Sequence, residues 1–220
     1  MTGLGIEDPR NATTCRIACI GVGGQGWLNL RAVARMAEVT ALCDIDRIAL
    51  ARASATYPEA QRFESWEDLF AARDAFDAVV VSVPDHAHAR IASRAIAMGK
   101  HCYCEKPLAS DAEGLSDILL SVQRSESVTC LGCQGVYSGR FEYLMRYLHE
   151  LDHDSLREIV VWTDRPGDYW NPTPARLSVS ATSEADIAWL RWSPSPPAVE
   201  MRALHPMGWR AYRGFGKSRL

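Results

Sequence analysis

Apolar residues come in short runs separated by stretches of helical periodicity. Arg16-Ile17-Ala18-Cys19-Ile20 reads as a first strand, followed by a glycine cluster and a helical pattern; a second apolar run closes on Ala41-Leu42-Cys43-Asp44. Ile45–Tyr57 is alanine-rich and helical in pattern, stopped by Pro58, and Arg62-Phe63-Glu64 fits a short third strand. Ser65 is placed to cap Trp66–Ala72, with Asp68 completing a capping box. Phe76–Val83 is apolar on both faces, as a central parallel strand buried on both sides should be. It ends at Pro84, and Ala87–Met98 follows as a helix closed by Gly99. His101–Glu105 is the next strand, Ser110 with Glu113 caps a helix over Asp111–Ser125, and Val128–Gly132 is a sixth strand. Strands alternating with helices of this length imply right-handed crossovers and a doubly wound parallel sheet.

Past Gly135 the texture changes. Arg140–Leu151 reads as an amphipathic bridging helix and Glu158–Thr163 as a new strand. Five of the seven tryptophans and seven of the eleven prolines lie beyond residue 160, which points to a surface meant to be covered. The expected organisation is a loose leader over residues 1–14, a doubly wound domain over 15–137 and a second α/β unit over 138–220, with the boundary near Gly135–Arg140.

The glycine cluster carries the first chemistry. Gly21-Val22-Gly23-Gly24-Gln25-Gly26 stands between a strand and a helix, and each required glycine has a mechanical reason. Gly21 permits the tight turn, Gly23 leaves the backbone bare for a pyrophosphate, and Gly26 lets the helix pack close to the sheet. The helix start then offers unbonded N–H groups and the positive end of its dipole to phosphate. Asp44, at the end of the second strand, stands where an acid accepts from the adenosine ribose hydroxyls.

Composition narrows the classes. At 220 residues, 47% hydrophobic and 23% charged, the chain is globular and buries a core. A net charge of −3 gives no reason to expect nucleic acid or an anionic membrane as partner. The apolar runs are too short to span a bilayer, and the polar start lacks the apolar region of a signal peptide, so a cytoplasmic protein is expected. Seven cysteines spread over strands argue against a disulfide framework. Cys130-Leu131-Gly132-Cys133 has redox or zinc spacing but falls in a strand-like run, so both thiols are expected to be small buried strand residues, as are Cys102 and Cys104.

Three strand ends should meet along the carboxyl edge of the sheet, where ligands bind in open α/β folds: Gly21–Gly26, Val83–His88 and Glu105-Lys106-Pro107. Lys106 ends a strand beside an acid and before a proline suited to a cis bond. An amine there can position a hydroxyl or carbonyl group and move a proton. His86-x-His88 has no third ligand at metal spacing, so it reads as a helix-start or ribose-contacting feature and no metal is expected.

These segments, with Cys104-Glu105-Lys106-Pro107-Leu108 and Leu131-Gly132-Cys133-Gln134 in the same order and spacing, resemble the Gfo/Idh/MocA oxidoreductases, the glucose-fructose oxidoreductase and inositol dehydrogenase-like enzymes. The resemblance implies a Rossmann domain followed by an α/β domain whose open sheet covers the nicotinamide and supports a homo-oligomer. It implies hydride transfer between a sugar or cyclitol carbon and NAD, with NADP the alternative because Arg47 stands near Asp44. By resemblance, Gly21, Val22, Gly23, Gly24, Gln25 and Gly26 form the phosphate loop, and Asp44 takes the ribose. Val83, Pro84, Asp85 and His88 line the cofactor cleft; Glu105, Lys106 and Gln134 lie near the nicotinamide, and Lys106 is the catalytic lysine. Family members continue into a segment with an Asp and a His a few residues apart, whereas this sequence ends at Leu220. A C-terminally truncated chain is therefore expected, with an incomplete second domain and doubtful turnover. The rival readings are a non-catalytic dinucleotide-binding remnant and, more remotely, a redox or metal protein built on Cys130 and Cys133.

Overall fold

The computed structural model describes residues 14–151 and 156–162. Six strands, β1 (Arg16–Ile20), β2 (Glu38–Cys43), β3 (Gln61–Phe63), β4 (Ala78–Val81), β5 (His101–Glu105) and β6 (Thr129–Gly132), form one parallel sheet in the order β3-β2-β1-β4-β5-β6. The crossovers are α1 (Gly24–Val33), α2 (Arg47–Thr56), α3 (Trp66–Ala71) with a short 3-10 turn over Arg73–Ala75, α4 (Asp85–Ala97) and α5 (Ala112–Gln123); α6 (Gly139–Glu150) follows the sheet. This is the Rossmann arrangement expected of the sequence.

The continuous apolar runs are explained by two cores. Successive side chains on a strand point to opposite faces, so a strand buried on both sides must be apolar throughout. Ile17 and Cys19 of β1 and Val80 of β4 pack with Leu30 of α1 and Leu50 and Ala53 of α2. Ala18, Ile20, Val79 and Val81 pack on the other face with Leu69 and Phe70 of α3, Ile91 and Ile96 of α4 and Ile118 of α5. The chain runs outward from β1 to β3, then returns to lay β4 beside β1. That reversal opens a crevice at the carboxyl ends of β1 and β4.

Local chemistry corrects several boundaries. Asp46 caps α2, accepting from the N–H groups of Ile48 (2.9 Å) and Ala49 (3.2 Å). Ser65 accepts from the Asp68 N–H as expected, and its hydroxyl donates to Glu67 at 2.8 Å. The cap of α5 is Asp111, not Ser110: its Oδ1 accepts from Gly114 N–H at 2.8 Å while Ser110 donates to Oδ2. A carboxylate beside helix-start amides accepts more strongly than a hydroxyl. Helix α4 starts at Asp85, two residues early, because Pro84 (φ −60°) occupies the cap.

Cys102 and Cys104 are buried, but Cys130 is exposed, because β6 is the edge of the sheet. All seven cysteines are free. Residues 156–162 are exposed and carry no strand; the expected strand over Glu158–Thr163 lies partly outside the described residues. No residue of α6 is buried, and Phe141, Leu144 and Met145 face outward. Among the described residues no helix is long and apolar enough to cross a membrane. The expected leader falls largely outside the described residues, and so do the tryptophans beyond Trp162.

At the amino edge of the sheet, Arg16 pins β1 to the start of β4. Its Nη2 donates to Asp77 Oδ1 at 2.7 Å, and its Nε and backbone N–H donate to Oδ2 at 3.1 and 3.0 Å. The Arg16 hydrogen bonds hold the Asp77 carboxyl down at about 2, against an ordinary value of 3.8. A depressed carboxyl contributes stability above its unfolded value and loses it as pH falls through the folded one. The difference in urea midpoint between the protein and Asp77→Asn is therefore expected to be constant above pH 3.8 and to shrink as the pH approaches 2. It should be modest, because both side chains are about 40% exposed and water screens the pair; a difference that persists unchanged at the acid end would contradict the assignment. Gly26→Ala is a second test. An added Cβ would overlap the Gly21 carbonyl oxygen, so a loss of about 1–3 kcal/mol on urea unfolding is expected. An unchanged midpoint would show that α1 moves away freely.

Candidate functional site

The glycine loop is built by exclusion of side chains. Gly21 has φ +82°, a Cβ on it would strike the Ser82 carbonyl, and its N–H donates to the Cys43 carbonyl at 2.8 Å. Gly23 is the N-cap of α1 and supplies no side-chain hydrogen bond, so no side chain closes the first turn. Gly24 (φ +48°) and Gln25 are exposed above that turn, and a Cβ at Gly24 would meet nothing within 4 Å. The loop thus presents bare backbone at a helix start, which fits a diphosphate. Val22 is different: its side chain is fully buried in the core.

Asp44 ends β2 and turns back on the loop. Its Oδ2 accepts from Val22 N–H (2.8 Å) and Gly23 N–H (3.2 Å), and its Oδ1 accepts from Asp46 N–H (2.9 Å). Burial pushes this carboxyl up, while the amides of Asp46, Val22 and Gly23 pull it back down. The acid is therefore part of the loop's own architecture. Arg47 is held by Glu64 through Nε at 2.9 Å and Nη2 at 3.0 Å.

The second and third strand ends lie side by side, at the carboxyl ends of the paired strands β4 and β5. Asp85, in the first turn of α4, is 8% exposed. His88 is 1% exposed, with Nε2 2.7 Å from the Val83 carbonyl oxygen and Nδ1 2.6 Å from that of Pro107, so its ring lies between the turns that follow β4 and β5. The Lys106–Pro107 bond is cis. Lys106 is exposed at this edge and has no hydrogen-bond or ion-pair partner among the described residues.

Glu105 sits beside it, 6% exposed, with three donors converging on Oε1: Gln134 Nε2 at 2.6 Å, Asn29 Nδ2 at 2.9 Å and the Tyr103 hydroxyl at 3.2 Å. Asn29 also donates to Ser82 Oγ at 2.9 Å and accepts from Gln25 Nε2 at 3.1 Å. Burial and the Glu105 charge push the Tyr103 phenol up to about 12, so it remains a donor. Gly132 makes room: a Cβ there would lie 2.7 Å from the Tyr103 hydroxyl and 3.0 Å from the Glu105 Cα. The structure thus brings Glu105 and Gln134 together and links them to Gln25 of the glycine loop.

The sequence reading missed Asn29, Ser82 and Tyr103. Tyr103 had a signal, since it lies two residues before Glu105 and so on the same strand face. Asn29, four residues after Gln25, is the polar member of an otherwise apolar turn, Trp27-Leu28-Asn29-Leu30. No group of three or more metal-ligating side chains occurs among the described residues.

With this geometry in view, the comparisons bear on family. The profile of an oxidoreductase family with an NAD-binding Rossmann fold matches residues 15–132. The chain is 33% identical over 211 residues to inositol 2-dehydrogenase of Cereibacter sphaeroides, a match covering 90% of this chain and 59% of that protein. It is 31% identical over 141 residues to a glycosyl hydrolase family 109 protein of a Shewanella species, covering 59% of this chain and 30% of that one. In fold it is similar to scyllo-inositol dehydrogenase of Lactobacillus casei, solved with NAD(H) and scyllo-inositol: TM-score 0.59 at 22% identity, over 63% of this chain and 42% of that one. The chain spans about six-tenths of the length of the inositol 2-dehydrogenases it matches. A matching profile over more than half of the residues, laid on a six-stranded Rossmann sheet, shows that this chain belongs to the Gfo/Idh/MocA oxidoreductase family, with its NAD-binding Rossmann fold.

Proposed function

We propose that this chain holds NAD across the carboxyl ends of β1, β2, β4 and β5, and that its reaction is hydride transfer between the nicotinamide and a hydroxyl or carbonyl carbon of a cyclitol or sugar. The observation that carries this is the convergence of an uncapped helix start, a strand-ending acid and a free amine on one sheet edge. Gly21, Gly23, Gly24, Gln25 and Gly26 supply the bare backbone for the diphosphate. Asp44 offers its remaining acceptor capacity to the adenosine ribose. Val83, Pro84 and Asp85 form the wall of the cleft, and Glu105 with Gln134 forms the floor near the nicotinamide. When bound, NAD supplies the hydride acceptor. Lys106 Nζ hydrogen-bonds the substrate oxygen and carries the proton that leaves or joins it.

NAD is preferred to NADP on two grounds. The Asp44 carboxylate repels a 2′-phosphate, and Arg47, the cation that would offset it, is engaged at two nitrogens by Glu64. The cyclitol or sugar class is supported by the inositol dehydrogenases among the relatives. We read residues 138–220 as the start of a substrate and oligomerisation unit, supported by the outward apolar face of α6.

The test is a titration with NADH followed by an assay of NAD reduction on a panel of inositols and sugars. Uptake of neither NAD nor NADH would end the reading, whereas binding without turnover would remove hydride transfer and leave the cofactor site. Lys106→Met is expected to leave NADH affinity within about threefold and to lower turnover by about 10²–10⁴-fold; a large loss of affinity would instead make Lys106 a cofactor ligand. Asp44→Ala should do two things at once. Losing the acceptor of two loop amides should weaken NAD binding by about ten- to a hundredfold, and the preference over NADP should narrow. An unchanged NAD to NADP ratio in the same titration would refute the ribose role.

A further inference from the structure

His88 is the most deeply buried polar side chain among the described residues, yet it lies directly under the candidate site. It sits in the first turn of α4, with its ring turned back toward the end of β4. One ring nitrogen faces the carbonyl oxygen of Val83, where the chain leaves β4; the other faces that of Pro107, the residue after Lys106. The two oxygens belong to different crossovers, 24 residues apart in sequence. Carbonyl oxygens only accept, so each contact is a hydrogen bond when its ring nitrogen carries a proton. Both contacts are short and the ring is almost fully buried, where a hydrogen bond constrains geometry most.

We propose that His88 is a positioning residue whose Nδ1–H donates to the Pro107 carbonyl, with the other edge of the ring seated against that of Val83, and so ties the start of α4 to the turn after β5 and fixes where Lys106 stands over the cleft. The tie is independent of the reaction; its consequence for Lys106 rests on the proposed function above. Other side chains fill such a space without making the tie. Phenylalanine matches the ring but donates nothing, and asparagine keeps one amide donor group on a shorter stem.

The direct test is nitrogen NMR of the unsubstituted chain labelled at histidine. His88 Nδ1 is expected at a protonated shift with a slowly exchanging proton; an unprotonated Nδ1 would overturn the tie. The second test is amide exchange in His88→Phe. Exchange over residues 83–87 and 105–109 is expected to rise about five- to tenfold, with β1 and β2 unchanged, and His88→Asn should return part of that protection. Acylation of Lys106 relative to Lys100 should shift in the same variant, which a loss confined to core packing would not produce. Unchanged exchange in a folded His88→Phe protein would refute the proposal, and if that variant does not fold, the NMR result decides. Failure of the unsubstituted chain to bind NADH would end the proposed function but leave the tie standing. Normal NADH binding with unchanged exchange would do the reverse.

Discussion

A helix can begin hard against the end of a central strand only where no side chain stands between them. Here the Gly21 carbonyl occupies the space a Gly26 Cβ would need, and the Ser82 carbonyl occupies the space of a Gly21 Cβ. Backbone from β1, from the start of α1 and from the end of β4 is therefore in direct contact. This approach fixes the depth of α1 on the sheet, and with it the place of Asn29, whose amide spans Ser82 and Glu105. A bulkier residue in the loop would lift the helix and draw the amide off the carboxylate. The loop is thus a spacer between α1 and the ends of β1 and β4.

What was legible in the sequence followed from periodicity. Ile17 to Ile20 and Val79 to Val81 divide by alternation between two cores, and a run apolar at every position demands burial on both faces. The glycine loop was legible for a similar reason, because few backbones need three glycines at that spacing. Misreadings arose where a local pattern fits two structures. Ser110 and Asp111 are both good caps, and only the fold decides which faces the Gly114 amide. Cys130 has the pattern of a buried strand residue, but its strand is the last in the sheet. The polar network was hidden for a different reason. Asn29, Ser82, Glu105 and Gln134 come from four separate segments, and sequence spacing carries no information about contacts across 29 to 76 residues.

The two deeply placed polar groups at this edge have complementary roles. Glu105 gathers donors from α1, β5 and the segment after β6, while His88 faces acceptors at the ends of β4 and β5. Each satisfies what burial would otherwise make costly. Lys106 follows Glu105 directly and is the one group of the three left open to solvent.

Finally, the clamp between Arg16 and Asp77 sits at the opposite end of the same two strands from the glycine loop. The central pair of the sheet is thereby fastened at its base by charge and shaped at its tip by the lack of side chains. Evolution or an engineer can tighten or loosen the foot of these strands without touching the groove at their head, so durability and ligand preference can drift separately in one small scaffold.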